Sequence, residues 1–304
     1  MQTLSVLLQK DKPASHRSFR MFVDKYRQLI PISPITIEIR EEENTRSYVY
    51  TFVSWSAEEY TLETRDVVRS FVSLILVDWL IETMQPLMAK QFLRRDVAPE
   101  LVSEWDLVYP YIQTVLLENE MMSNAGSLKL VLYDLLMDYF QESNDIVVQG
   151  FVQFRMKSYL EALYDAVELG VDRYLEEKEY REFVELLRYF VSIQETRYEL
   201  VHVVGGGTKP LSFFDENGDS ISMEQLEMIL HSVGQEFREE DYLVSALITL
   251  APKRILFHAA NQKSTLKDTL YSIFDDRLSV CDSCAYCLNT KRALDFTKSS
   301  LYNT

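Results

Sequence analysis

The sequence predicts a mainly helical α+β protein: a central helical bundle flanked by small α/β units at the N- and C-terminal ends. Three observations predict it. Only 8 Gly and 8 Pro are spread over 304 residues, too few punctuating residues for a turn-rich sandwich or barrel. Apolar residues recur at helical spacing through the middle of the chain, whereas period-two alternation is confined to its two ends. A hydrophobic content of 47% over this length can fill one or two cores without help from disulfides.

At the N-terminal end, Leu4 to Leu8 predicts a strand, and Ser15 to Ile30, with Phe19, Phe22, Val23, Tyr26 and Ile30 on one face, predicts an amphipathic helix that Pro31 and Pro34 stop. Ile35 to Ile39 and Tyr48 to Val53 alternate as two strands joined by the polar segment Arg40 to Arg46. Residues 1–55 therefore read as a small strand-helix-strand-strand unit. From Ser56 the period becomes helical, and Ser56-Ala57-Glu58-Glu59 has the spacing of a capping box.

Residues 56–197 read as a helical domain. Val67, Phe71, Leu74, Ile75 and Ile81 predict one helix, Leu101 to Val115 a second, and Leu128 to Tyr139 a third. A fourth element spans Val147 to Leu175, and a fifth, carrying Phe183, Leu186, Leu187 and Phe190, runs to about Gln194. Residues 198–304 read as a C-terminal α/β unit. It opens with a hairpin, Tyr198 to Val204 and Leu211 to Phe214, broken at Gly205-Gly206-Gly207. Helices follow near Met223 to Val233, Glu239 to Leu250 and Leu266 to Phe274, with strands at Arg254 to His258 and Arg277 to Val280. The last strand delivers the chain to Cys281.

The formal net charge is -16, from 47 acidic against 31 basic residues, a balance that repels phosphate backbones and anionic lipid. No basic patch overrides it, because Arg155, Lys157, Arg173, Lys178, Arg181 and Arg188 are interleaved with carboxylates. Nucleic acid is thus not an expected partner. The most apolar window, Val67 to Ile81, contains Arg69 and Asp78 and is too short between them to span a bilayer. Met1 to Lys10 lacks the pattern of a secretory signal, so the expectation is a cytoplasmic protein whose thiols stay reduced.

All three cysteines lie within seven residues, as Cys281-x-x-Cys284-x-x-Cys287. Packing alone would not gather them. Two-residue gaps let a turn aim successive thiolates at one centre, as in zinc sites and iron–sulfur clusters. A fourth cysteine followed by proline, which would complete a ferredoxin-type run, is missing. His258 is the first candidate for the fourth ligand, because its strand is expected beside the one leading to Cys281. Asp282, water or a second copy of the chain are the alternatives. Without metal, the same residues would form a thiol cluster or a reversible Cys281 to Cys284 disulfide.

Other candidates are weaker. His16, His202 and His231 each stand alone in sequence, as ordinary solvated or hydrogen-bonded side chains do. Asp215-x-Asn217-Gly218-Asp219 starts like a calcium loop, but Ser220 replaces the turn glycine and Leu226 the bidentate Glu. Gly205-Gly206-Gly207-Thr208-Lys209 has the wrong spacing for a phosphate loop, and Pro210 leads into a strand. No nucleophile elbow, dinucleotide fingerprint or paired acid and base nominates a catalytic residue, so enzymatic activity is left open.

Gly150 to Leu160, Val171-Asp172-Arg173-Tyr174-Leu175 running on to Phe183, and Leu186-Leu187-Arg188-Tyr189-Phe190-Val191 resemble the core of the YtxC-like sporulation proteins. The likeness covers mainly residues 145 to 221 and more loosely the rest. It implies a cytoplasmic protein involved in sporulation and names no substrate. Two functional classes remain. One is an interaction or regulatory protein that meets a protein partner and carries a metal-binding cysteine loop. The other is an iron–sulfur or other thiol-based redox protein.

Overall fold

A computed structural model describes residues 2–10, 13–29, 35–56, 62–122, 128–206, 209–222, 224, 239–258 and 264–281. The chain divides into two compact units, residues 1–177 and 178–304, and each has its own hydrophobic core.

In the first unit β1 (Gln2–Gln9), β2 (Ile35–Glu43), β3 (Ser47–Ser56) and β4 (Asp145–Val147) form one sheet in the order β2-β3-β1-β4. The first three strands pair antiparallel, and β4 runs parallel to β1. Leu4 and Val6 of β1 sit opposite Phe52 and Tyr50 of β3, and all four are buried. This dry face packs against α1 (Pro13–Arg27) and α2 (Leu62–Trp79). Phe19 of α1 meets Tyr50 and Trp79 edge to face, at centroid distances of 5.0 and 5.2 Å. The Trp79 indole N–H is satisfied by Ser18 Oγ at 2.9 Å, as burial of a polar edge requires.

Helix α2 shows where periodicity misleads. Its buried apolar side chains are Val68, Phe71, Val72, Ile75, Leu76, Val77 and Trp79, so Phe71 and Ile75 lie in the core as expected, while Val67 and Leu74 are exposed. A helix that is apolar almost all round does not announce which stripe the core takes. The helical run then continues through a π-helical turn at Leu80–Met84, α3 (Gln85–Phe92) and a second π-helical turn at Leu93–Val97. Pro86 has no N–H and its ring crowds the carbonyl of Glu82, so the hydrogen-bond ladder widens there. Pro99 opens the 3-10 turn that leads into α4 (Trp105–Met122), followed by α5 (Leu128–Glu142) and α6 (Val148–Arg155).

The fourth and fifth helical elements expected from sequence are largely one helix, α7 (Lys157–Ile193), preceded by β4 and α6. Between Leu175 and Phe183 the residues are Glu-Glu-Lys-Glu-Tyr-Arg-Glu, mostly strong helix formers, and no Gly or Pro interrupts them. The capping box falls largely outside the described residues, since Ser56 ends β3 and residues 57–59 are not among them.

In the second unit β5 (Val201–Gly206), β6 (Lys209–Phe214), β7 (Ser220–Ile221), β8 (Ile255–His258) and β9 (Leu278–Val280) form a sheet in the order β7-β6-β5-β8-β9. β5 and β6 make the expected hairpin, while β5, β8 and β9 run parallel. Val201, Val203, Ile255, Phe257 and Leu278 are buried with Leu243, Ala246 and Leu247 of α8 (Glu239–Leu250) and Leu270 and Ile273 of α9 (Ser264–Phe274). Helix α8 stops at Ala251, whose φ is 46°, because Pro252 follows and cannot continue it. The helix expected near Met223 to Val233 lies, Glu224 aside, outside the described residues.

Candidate functional site

Parallel strands share a direction, so β5, β8 and β9 end at the same edge of the sheet. In open α/β sheets this carboxyl edge is where ligands bind, because the loops that follow the strands converge there. The residues gathered at it are Gly205 and Gly206 of β5, His258 at the end of β8, and Cys281 directly after β9.

Register then decides which side chains share a face. Val204 pairs with His258, and Phe257 pairs with Val280, so the next pair along is His258 and Cys281. The ladder does continue, since the Cys281 N–H donates to the Phe257 carbonyl at 2.9 Å. Laterally paired residues of parallel strands point the same way, and alternate residues of one strand do too. His202, His258 and Cys281 therefore lie on one face. Val201, Val203, Ile255 and Phe257 take the other, against α8 and α9.

His202 Nδ1 and His258 Nε2 are 3.0 Å apart. The ring planes are within 15° of each other and the centroids are separated by 5.3 Å. That separation is little more than the nitrogen gap plus the two ring radii, so the imidazoles meet edge to edge and one N–H donates to the other's lone pair. His258 is buried and His202 half-buried. Burial pushes both below the ordinary histidine range; Asp215 partly offsets this at His202, while His202 adds to it at His258. Both rings are thus neutral at pH 7, the form in which imidazole ligates metals.

Of the four candidate ligands the structure brings His258 and Cys281 to neighbouring strand ends, with Cys281 half-buried. Cys284 and Cys287 lie outside the described residues. Among the described residues no group of three or more His, Cys, Asp or Glu side chains is gathered as a metal site. His202 is the functional candidate that sequence reasoning passed over.

The rejected motifs have plain structural explanations. Asp215 Oδ1 accepts the N–H groups of Asn217 and Asp219, both at 2.9 Å, and Gly218 adopts φ 88°. The carboxylate is folding its own turn, and these amides hold Asp215 below the usual carboxylate range. His16 stacks on Tyr48 with centroids 3.5 Å apart and contacts Glu41 at 2.9 Å. Among the described residues no helix is long and apolar enough to cross a membrane.

The model of the YtxC-like family matches residues 70–279 of this sequence, more than half of its length. The chain belongs to the YtxC-like family. A curated member, "Uncharacterized protein YtxC" of Bacillus subtilis (strain 168), is 24% identical over 154 residues, 51% of this chain and 54% of that protein. The chain thus spans about half the length of this YtxC relative. No solved structure matches. The YtxC-like match includes His202 and His258 and ends at Ser279, two residues before Cys281.

Proposed function

We propose that this YtxC-like protein is a cytoplasmic, sporulation-associated interaction or regulatory protein whose second unit carries a metal-binding loop. Cys281, Cys284 and Cys287 supply three thiolates, and His258 supplies the fourth ligand. The observation that carries this reading is the register that sets His258 beside Cys281 at the carboxyl edge of the parallel strands. With Nε2 engaged by His202, His258 would ligate through Nδ1, and His202 would fix its tautomer and ring orientation. Zinc suits a closed set of three thiolates and one imidazole, and would act by fastening the C-terminal segment to the sheet.

Elemental analysis and a visible spectrum of protein purified without air test the reading. One zinc per chain and no colour support it. Iron with sulfide and visible absorption would instead make the protein an iron–sulfur protein, the second reading the cysteine spacing allows. Cys284→Ser is expected to lower both metal content and thermal stability. Unchanged metal and stability in that variant would remove the loop from the account.

A further inference from the structure

The second unit also carries a cleft that neither the cysteine loop nor the family match explains. It is about 460 Å³ in volume and lies between α7, α8 and α9. One wall is Tyr180, Phe183, Val184 and Leu187, and the other is Asp241, Val244, Ser245 and Ile248. Each set follows the spacing i, i+3, i+4, i+7, so each wall is one ridge of a helix, and a groove between two such ridges has the shape that receives a third helix.

Its chemistry is equally one-sided. Val184 and Ile273, which also line it, are buried members of the core, so the cleft opens onto apolar core. Phe183 is 56% exposed, although a ring of that size is normally covered. The apolar surface continues along α7 through Leu186, Phe190 and Ile193, all more than half exposed. Contiguous apolar surface of this kind marks an interaction site. Among the described residues lining the cleft the charged ones are Glu240 and Asp241, with no Lys or Arg. The chain's net charge of -16 disfavours a second copy there and favours a cation-bearing occupant.

We propose that this cleft is the docking site for a basic amphipathic helix of a partner protein, with apolar anchors between the two ridges and Lys or Arg beside Glu240 and Asp241. It rests on the interaction-protein reading above and not on the cysteine loop; metal analysis reads the loop and peptide binding reads the cleft, so the two fail separately. The test is fluorescence anisotropy of a labelled four-turn Leu/Lys peptide, with Leu at the anchor spacing, against its Leu/Glu twin, using the intact protein. The Leu/Lys peptide is expected to bind at least about tenfold more tightly than the twin. Phe183→Ala, at an exposed position that leaves the circular dichroism unchanged, is expected to weaken it by about tenfold or more. Reversing both charges, Glu240→Lys with Asp241→Lys, is expected to invert the preference between the peptides. Binding of neither peptide, equal binding of both, or indifference to Phe183→Ala overturns the proposal. Sedimentation showing a dimer that Phe183→Ala dissociates would also overturn it, and would assign the cleft to a second copy.

Discussion

Gly170 offers a test in which two effects of opposite sign compete. It lies within α7, where replacing Gly by Ala ordinarily stabilises a helix by about 1 kcal/mol. Here a Cβ would stand 2.7 Å from Ile112 Cγ1 and 2.8 Å from both Cα and N of Ile112. The side-chain atom could rotate away, but the backbone atoms cannot, so α4 and α7 must move apart. Overpacking of this kind costs about 1–3 kcal/mol, and contacts with backbone place it at the upper end. The net effect of Gly170→Ala is therefore a loss of about 2 kcal/mol, or roughly 4–8 °C in Tm for a unit of this size. Gly150, in α6, has nothing within 4 Å of its hypothetical Cβ, so Gly150→Ala is expected to gain about half a kcal/mol by restricting the unfolded chain. The assay is thermal unfolding followed by tryptophan fluorescence, because the three tryptophans, Trp55, Trp79 and Trp105, all belong to the first unit. A Gly170→Ala protein as stable as the parent, or a Gly150→Ala protein that loses as much as Gly170→Ala, refutes the reasoning.

Two further expectations follow from named contacts. Asp78 of α2 accepts hydrogen bonds from Tyr26 of α1 and from Lys129 of α5, the latter at 2.6 Å; Lys129 is half exposed and can rehydrate, so Asp78→Ala should cost about 2 kcal/mol, mostly from the charged bond to Tyr26. Burial alone would raise the Asp78 carboxyl, but Lys129 and Tyr26 outweigh it and hold it low; the unfolded chain then binds the proton more readily, so this stabilisation is present at neutral pH, is lost as pH falls below about 4, and should vanish from the acid limb of the Asp78→Ala stability profile. His202→Ala should weaken zinc binding by about 10–100-fold without abolishing it, because the imidazole positions His258 and does not ligate; a competitive chelator titration reads this, and an unchanged affinity would assign His202 no role at the site.

Local chemistry made the terminal strands legible, and non-local pairing hid the rest. Ile35-Thr36-Ile37-Glu38-Ile39 alternates because one face of the sheet is dry, and its buried residues are Ile35 and Ile37. β4, only three residues long, owes its existence to a parallel partner about 140 residues earlier, Ser5 to Leu7 of β1. Asp145-Ile146-Val147 carries no strand signal of its own that could outweigh the helical residues after it. In the same way, the exposed side of α2 was unreadable while its apolar residues circled the whole helix. The continuity of α7 was readable in principle, from the helix-forming run through Glu176 to Glu182.

The candidate site divides along the same line. β8, α9 and β9 form a compact strand-helix-strand unit, and such units return their second strand parallel and adjacent to the first, so His258 beside Cys281 follows from residues close in sequence. His202 lies 56 residues before His258, and β5 reaches β8 only after a hairpin, so no local rule sets their register. Yet a signal was present in the alternation itself. His202 stands between Val201 and Val203, and His258 directly follows Phe257, the core-facing residue of its strand. A one-residue slip of either strand would turn a histidine into the α8–α9 core and a large apolar residue out of it. The apolar neighbours therefore commit both imidazoles to the opposite face, and the parallel pairing of β5 with β8 then leaves them within hydrogen-bond reach.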